Sequence, residues 1–248
     1  TLMRSSAASD VYKRQVLEGK VEQLILVNCC DSMRRVYDIV ESTGKCKFLY
    51  MLDMPHEDND CEKVKLAQGI HRLKKAYEKF SGKTFDRSGF LNAFSHEPVD
   101  NQPYIGVLGV RVSGILEKMI RDNIRMDVEN LTCTGGRRLA VIREELEKME
   151  DDAMFLAYAD ALLSQMPCFR MNNSTRRNRL YLDPNLKGII YHTIKFCDYY
   201  GFEYASIKRD IKVPLLKIET DFTSQSAGQL LTRVQAFAET LELSLIHI

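Results

Sequence analysis

Two hydrophobic rhythms alternate along this chain. Short, nearly continuous apolar runs occur at Leu24–Val27, Phe48–Leu52, Tyr104–Val110, Gly188–Thr193 and Val213–Ile218. Aliphatic runs of that length are what a parallel strand covered on both faces requires. Between them the apolar positions recur every three to four residues. Val64, Leu66, Ala67, Ile70, Leu73, Ala76 and Tyr77 predict an amphipathic helix over 62–80, and Leu230, Leu231, Val234, Phe237, Ala238 and Leu241 predict another over 227–241. Further helices are expected over 33–41, capped by Asp31 or Ser32, over 115–123, capped by Ser113, over 139–149 and 153–166, and from Asp198 onward. Strand and helix in such alternation predict an α/β chain with mainly parallel sheets.

The rhythm breaks between Ser95 and Pro103, where Pro98, Asp100, Asn101 and Pro103 cluster. A domain boundary is expected there, with a first α/β domain over 16–98 and a second over 99–242. Only two strand candidates fall within 16–98, fewer than a stable sheet uses, so the first domain is expected to be incomplete. Residues 1–15 and 243–248 stand apart: Ser5 to Gln15 and Leu243 to Ile248 look like translated sequencing-adapter read-through, and the fold reading leaves them out.

Charge narrows the choice of partner little. The 248 residues carry a net charge of +1, and beyond the first fifteen there are 32 basic against 33 acidic side chains, so nothing indicates nucleic acid or a membrane surface. No run approaches the ~18 apolar residues of a membrane span. Gly106, Gly109 and Gly114 lack the spacing of a dinucleotide fingerprint, and the Walker lysine motif is absent, so the chain itself is not expected to hydrolyse ATP. The basic side of the 62–80 helix reads as a solvated face rather than a grip on an acidic ligand. Arg176, Arg177 and Arg179 suit phosphate or carboxylate; an acyl-CoA pocket wall is one reading, and a surface helix is preferred.

Cysteine changes the picture. There are seven: Cys29, Cys30, Cys46, Cys61, Cys133, Cys168 and Cys197. An odd number argues for reduced thiols or metal in a cytoplasmic setting rather than for a disulfide framework. Cys197 lies where the Gly188–Thr193 strand gives way to the helix from Asp198. Cys133, after Asn130-Leu131-Thr132, and Cys168, after Gln165-Met166-Pro167, repeat the placement, and Cys30 follows the Leu24–Val27 strand. Ligands gather outside the carboxyl ends of parallel strands, so Cys133, Cys168 and Cys197 are expected to converge on one sheet edge with Cys30 facing them. Cys46 and Cys61 have no motif around them and read as small buried hydrophobes. No C-x-x-C pair occurs, and widely spaced single thiolates suit an iron–sulfur cluster better than structural zinc.

Pro167-Cys168-Phe169-Arg170-Met171, the run from His192 to Tyr204, Leu216 to Asp221 and Gly228 to Phe237 closely resemble the 2-hydroxyacyl-CoA dehydratase family, which includes benzoyl-CoA reductase subunits and double-cubane cluster proteins. Cys30-Asp31-Ser32-Met33-Arg34-Arg35 is similar to that family's Cys-Asp loop, and the resemblance spans nearly all of 16–242. It implies two flavodoxin-like three-layer domains facing each other across an iron–sulfur cluster, of [4Fe-4S] or double-cubane type, with Cys30, Cys133, Cys168 and Cys197 as ligands. It implies a separate ATP-hydrolysing iron–sulfur activator that delivers single electrons, and a second homologous subunit in a homo- or heterodimer. The implied reaction is one-electron reduction of an acyl-CoA thioester with loss of the 2-hydroxyl as water. Further cluster cysteines are expected upstream of residue 16. Two alternatives stay open: a double-cubane reductase of small molecules, and a non-catalytic cluster-carrying partner subunit.

Overall fold

The computed structural model describes residues 13–28, 31–93, 102–132, 143–165, 177–195, 198–221 and 227–246. In chain order the elements are β1 (Gln23–Val27), α1 (Asp31–Thr43), β2 (Phe48–Leu52), α2 (Asp60–Ser81), α3 (Arg87–Asn92), β3 (Tyr104–Gly109), α4 (Gly114–Asn123) and β4 (Asp127–Asn130). They continue with α5 (Arg143–Glu147), α6 (Asp151–Ser164), α7 (Asn178–Tyr181), β5 (Leu186–Ile194), α8 (Asp198–Ile207), β6 (Leu215–Thr220) and α9 (Ala227–Ile246). Both sheets are wholly parallel, as expected of an α/β chain.

Two compact units result, one with described residues from 9–98 and 138–174, the other from 99–137 and 175–248. The crossing at 98/99 falls in the stretch marked by Pro98, Asp100, Asn101 and Pro103. The chain then returns to the first unit for α5 and α6, so the stretch 99–242 contributes to both.

In the first unit β1 and β2 pair from Gln23 opposite Phe48 to Val27 opposite Leu52. Val36 and Val40 of α1 are buried with Val16 and Leu26. Asp31 is the first residue of α1 rather than its cap, a place where its charge favours the helix dipole. Asn59 caps α2 by accepting from the Glu62 N–H at 3.0 Å, and Gly82 closes the helix in the left-handed region. The α2 stripe of Leu66, Ala67 and Ile70 meets Ala159 and Leu163 of α6, which is why α6 belongs to this unit. Arg87, the first residue of the short α3 that no sequence period announces, seals the same contact. Its guanidinium pairs with Asp151 at 2.7 Å and donates to the carbonyls of Leu146, at 3.0 Å, and Met149, around the end of α5.

The second unit holds four strands in the order β4-β3-β5-β6. Its first strand is central, its second lies on one side, and its third and fourth lie on the other. That is the 2-1-3-4 arrangement of flavodoxin-like sheets, and strand order reverses between β3 and β5. Ile105 and Val107 of β3, Ile190 of β5 and Ile218 of β6 face α4 and α9, meeting Leu116, Ile120, Val234, Phe237 and Leu241. Gly188 allows this: a Cβ there would stand 2.7 Å from a Leu241 methyl. Alternation along β5 sends Tyr191 to the opposite face, where its hydroxyl meets Glu203 of α8, so helices cover both faces.

Candidate functional site

The carboxyl edge of the second sheet is tied together by polar groups that the surrounding apolar layers enclose. Gly109 ends β3 with φ +94°, and a Cβ at that position would lie 2.1 Å from the His192 carbonyl oxygen. Glycine is required here because β3 and β5 approach backbone to backbone where strand order reverses. His192 is fully buried in β5. Its Nδ1–H donates to the Val110 carbonyl at 3.0 Å, which leaves Nε2 to accept from the Thr220 hydroxyl at 2.8 Å. Burial pushes the imidazole below its ordinary pKa and keeps it neutral. One side chain thus binds the ends of β3, β5 and β6. Beyond β4, Thr132 is buried and bonds Asn130 through its N–H and hydroxyl, at 3.2 and 2.7 Å, while Asn130 donates to Glu117 of α4 at 3.1 Å.

Behind this edge lies a buried ion pair. Arg177 and Glu203 are each 3% exposed, and the guanidinium reaches both carboxylate oxygens, one through Nε and the other through Nη2 at 3.1 Å. Tyr181 donates to Glu203 at 3.2 Å, and Tyr191 donates to its other oxygen. Burial, then the negative charge of Glu203, holds both phenols well above their ordinary pKa. Arg177 is therefore neither on a surface helix nor a wall for an external anion, because an internal carboxylate already satisfies it. The side chains of Arg176 and Arg179 lie outside the described set.

In the first unit the edge is built from Asn28, which follows β1. Its amide donates to Asp53 after β2 at 2.9 Å and accepts from Arg34 of α1 at 2.6 Å. A cleft of ≈ 440 Å³ opens beside Asp53, between His56, Glu62, Lys65 and Arg72. Three of the six Lys and Arg residues of α2 pair with acids: Lys65 with Glu62 at 2.6 Å, Lys63 with Asp160 at 2.8 Å and Lys74 with Glu78 at 3.6 Å.

Cys30, Cys133, Cys168 and Cys197 lie outside the described residues, as does their expected convergence. The elements that precede them in the chain are described, and three of the four cysteines follow a rule. Cys30 comes three residues after the end of β1, Cys133 three after the end of β4 and Cys197 three after the end of β5. Cys168 departs from it, following the helix α6 rather than a strand. Cys46 is half-buried with its thiol 3.1 Å from the Phe48 carbonyl, whereas Cys61, expected inside, is exposed in the first turn of α2. Among the described residues no three His, Cys, Asp or Glu side chains are grouped to hold a metal ion. Sequence reasoning assigns no role to His192, Gly109 or Thr220; a lone histidine inside an unbroken apolar strand is the available signal.

The profile of the family described as 2-hydroxyglutaryl-CoA dehydratase, D-component, matches residues 99–241. The chain is similar to YjiM of Escherichia coli (strain K12), which is named as a dehydratase subunit, with 28% identity over 153 residues, 58% of this chain and 39% of YjiM. It is also similar to the (R)-phenyllactyl-CoA dehydratase beta subunit of Clostridium sporogenes, 40% identical over 57 residues, 22% of this chain and 15% of that subunit. The chain spans well under two thirds of the length of these relatives.

Proposed function

The chain belongs to the family of the 2-hydroxyglutaryl-CoA dehydratase D-component, and on that premise we propose that it is the iron–sulfur subunit of a 2-hydroxyacyl-CoA dehydratase. In that reaction an electron placed on the thioester carbonyl expels the 2-hydroxyl, which leaves with a proton as water, and the electron is recovered after a proton leaves the 3-carbon, so the net change is dehydration. The observation that carries the proposal is the repeated interval of three residues from strand end to cysteine at Cys30, Cys133 and Cys197. β4 and β5 flank β3 and run towards the same edge, so their ends stand two strand spacings, about 10 Å, apart.

The donor set fits an iron–sulfur cluster: thiolates are the ligands such clusters take, and Cys168 completes a set of four. When bound, a low-potential cluster supplies single electrons to the thioester carbonyl. The chain's own residues prepare the edge. Gly109 brings β3 against β5, His192 and Thr220 lock the strand ends, and Thr132 with Asn130 fixes the exit from β4.

The partners in this reading are an ATP-hydrolysing iron–sulfur activator, which supplies the electrons, and a second homologous subunit. The relatives' names as subunits support the second. The setting is cytoplasmic, where thiols stay reduced; among the described residues no helix is long and apolar enough to cross a membrane.

The test is iron and acid-labile sulfide per chain after anaerobic purification and reconstitution, with absorption and EPR spectra. Iron is expected in the parent and in Cys46→Ser with Cys61→Ser, and its loss is expected in Cys30→Ser, Cys133→Ser, Cys168→Ser and Cys197→Ser. A reconstituted parent without iron overturns the proposal.

A further inference from the structure

The Arg177–Glu203 pair is costly where it sits, and none of the chemistry above uses it. Taking two charges out of water costs several kcal/mol per ion, and apolar residues of similar volume in their place are often neutral or stabilising. The pair is nevertheless fully served. Glu203 accepts from Arg177 Nε and Nη2, from Tyr181 and from Tyr191, which fills the roughly four lone-pair sites of a carboxylate.

The position of the four groups in the chain is the informative part. Tyr191 lies in β5 three residues before its end, and Glu203 lies in the second turn of α8. Their hydrogen bond bridges the connection from Ile194 to Asp198, which contains Cys197, so the chain is held on entering that connection and on leaving it. Arg177 is the first described residue after the stretch that contains Cys168, and it is held to the same carboxylate. All four side chains belong to one compact unit.

We propose that Arg177, Glu203, Tyr181 and Tyr191 are positioning residues that fix the β5–α8 connection, and with it the Cys197 thiolate, for cluster binding. The inference rests on the iron–sulfur reading. The Tyr191–Glu203 bond sets the distance between β5 and α8, and the planar, two-point pairing with Arg177 fixes the angle of that carboxylate, whereas an apolar contact would let α8 slide.

The test uses the intact gene product, reconstituted anaerobically, and compares the parent with Arg177→Met/Glu203→Leu and with Tyr191→Phe. Three quantities are read: the thermal midpoint of the iron-free protein, the rate of iron transfer to a ferrous chelator, and the EPR spectrum of the reduced protein. The double variant, in which the buried Tyr181 and Tyr191 hydroxyls lose their carboxylate acceptor, is expected to fold with a lowered midpoint and to release iron on the order of tenfold to a hundredfold faster, with altered EPR g-values. Tyr191→Phe, which removes one hydroxyl, is expected to fall between it and the parent. Parental release rates and spectra in a folded double variant overturn the inference and leave the iron–sulfur reading standing. If the double variant does not fold, Tyr191→Phe decides, and a parental rate in it overturns the inference. A parent that holds no iron removes the iron–sulfur reading and this inference with it.

Discussion

The two parallel sheets end alike and are covered very differently. In the two-stranded sheet only Leu26 and Phe48 are buried, and Ile25 is 47% exposed. In the four-stranded sheet every residue of β3 is buried, as is every residue of β5 except Lys187. Both nonetheless place a cysteine three residues beyond a strand's carboxyl end. Where a chain delivers a functional group is thus set by strand direction and the turn that follows. How firmly it holds the group is set by the layers packed on the strand.

The sharpest way to break this contrast is glycine replacement. Gly109→Ala, with no room for a Cβ beside His192, is expected to cost on the order of 4 kcal/mol, combining overpacking with backbone strain. Gly44→Ala in the first unit has the same sign of φ but open space around it, and is expected to cost about 1–2 kcal/mol. Urea denaturation followed by circular dichroism measures both; equal costs would mean that the approach of β3 to β5 is not what demands glycine.

Next in size is truncation of strand isoleucines. Ile190→Ala in β5 should cost about 2–5 kcal/mol, and Ile25→Ala in β1 should stay within about 0.5 kcal/mol. The same denaturation curves decide, and a costly Ile25→Ala would show that the first sheet is more deeply covered than its exposure indicates.

His192 gives a smaller, pH-dependent effect. Its folded pKa is lowered, so the unfolded chain takes up the proton more readily. The stability it contributes is complete above the ordinary imidazole value and drains away as pH falls through the folded value. The thermal midpoint of the parent is expected to drop from pH 7.5 towards pH 5, and the drop should shrink in His192→Gln. An unchanged slope in that variant would remove the histidine as its source.

The helix caps give the smallest effect. Ser113→Ala at α4 and Asn59→Ala at α2 should each cost about 1 kcal/mol. If each shifts only part of a calorimetric transition, the two units unfold separately; if both shift all of it, they unfold together.

Much of this was legible in the chain. The β2 run was bounded correctly because its aliphatic block ends in residues that cannot extend it, and Ser113 announced α4 because a serine ahead of an apolar period has a backbone donor to satisfy. Other features depend on partners far away in sequence. Arg177 looked like a surface residue because its carboxylate is 26 positions further on. The helix α6 was placed, but not its unit, since the stripe that receives it belongs to α2. Nothing local reports that β5 passes within contact of Gly109.

The repeated crossing of the chain between its units also governs the order in which the protein can be completed on the ribosome. Leu66 and Ala67 are synthesised about a hundred residues before Ala159 and Leu163, which cover them. At ordinary elongation rates of about 5–20 residues per second, the α2 stripe waits roughly 5–20 s without its partner. For that interval the nascent chain presents an apolar ridge to water, so its yield in a cell depends on what shields that ridge until α6 emerges.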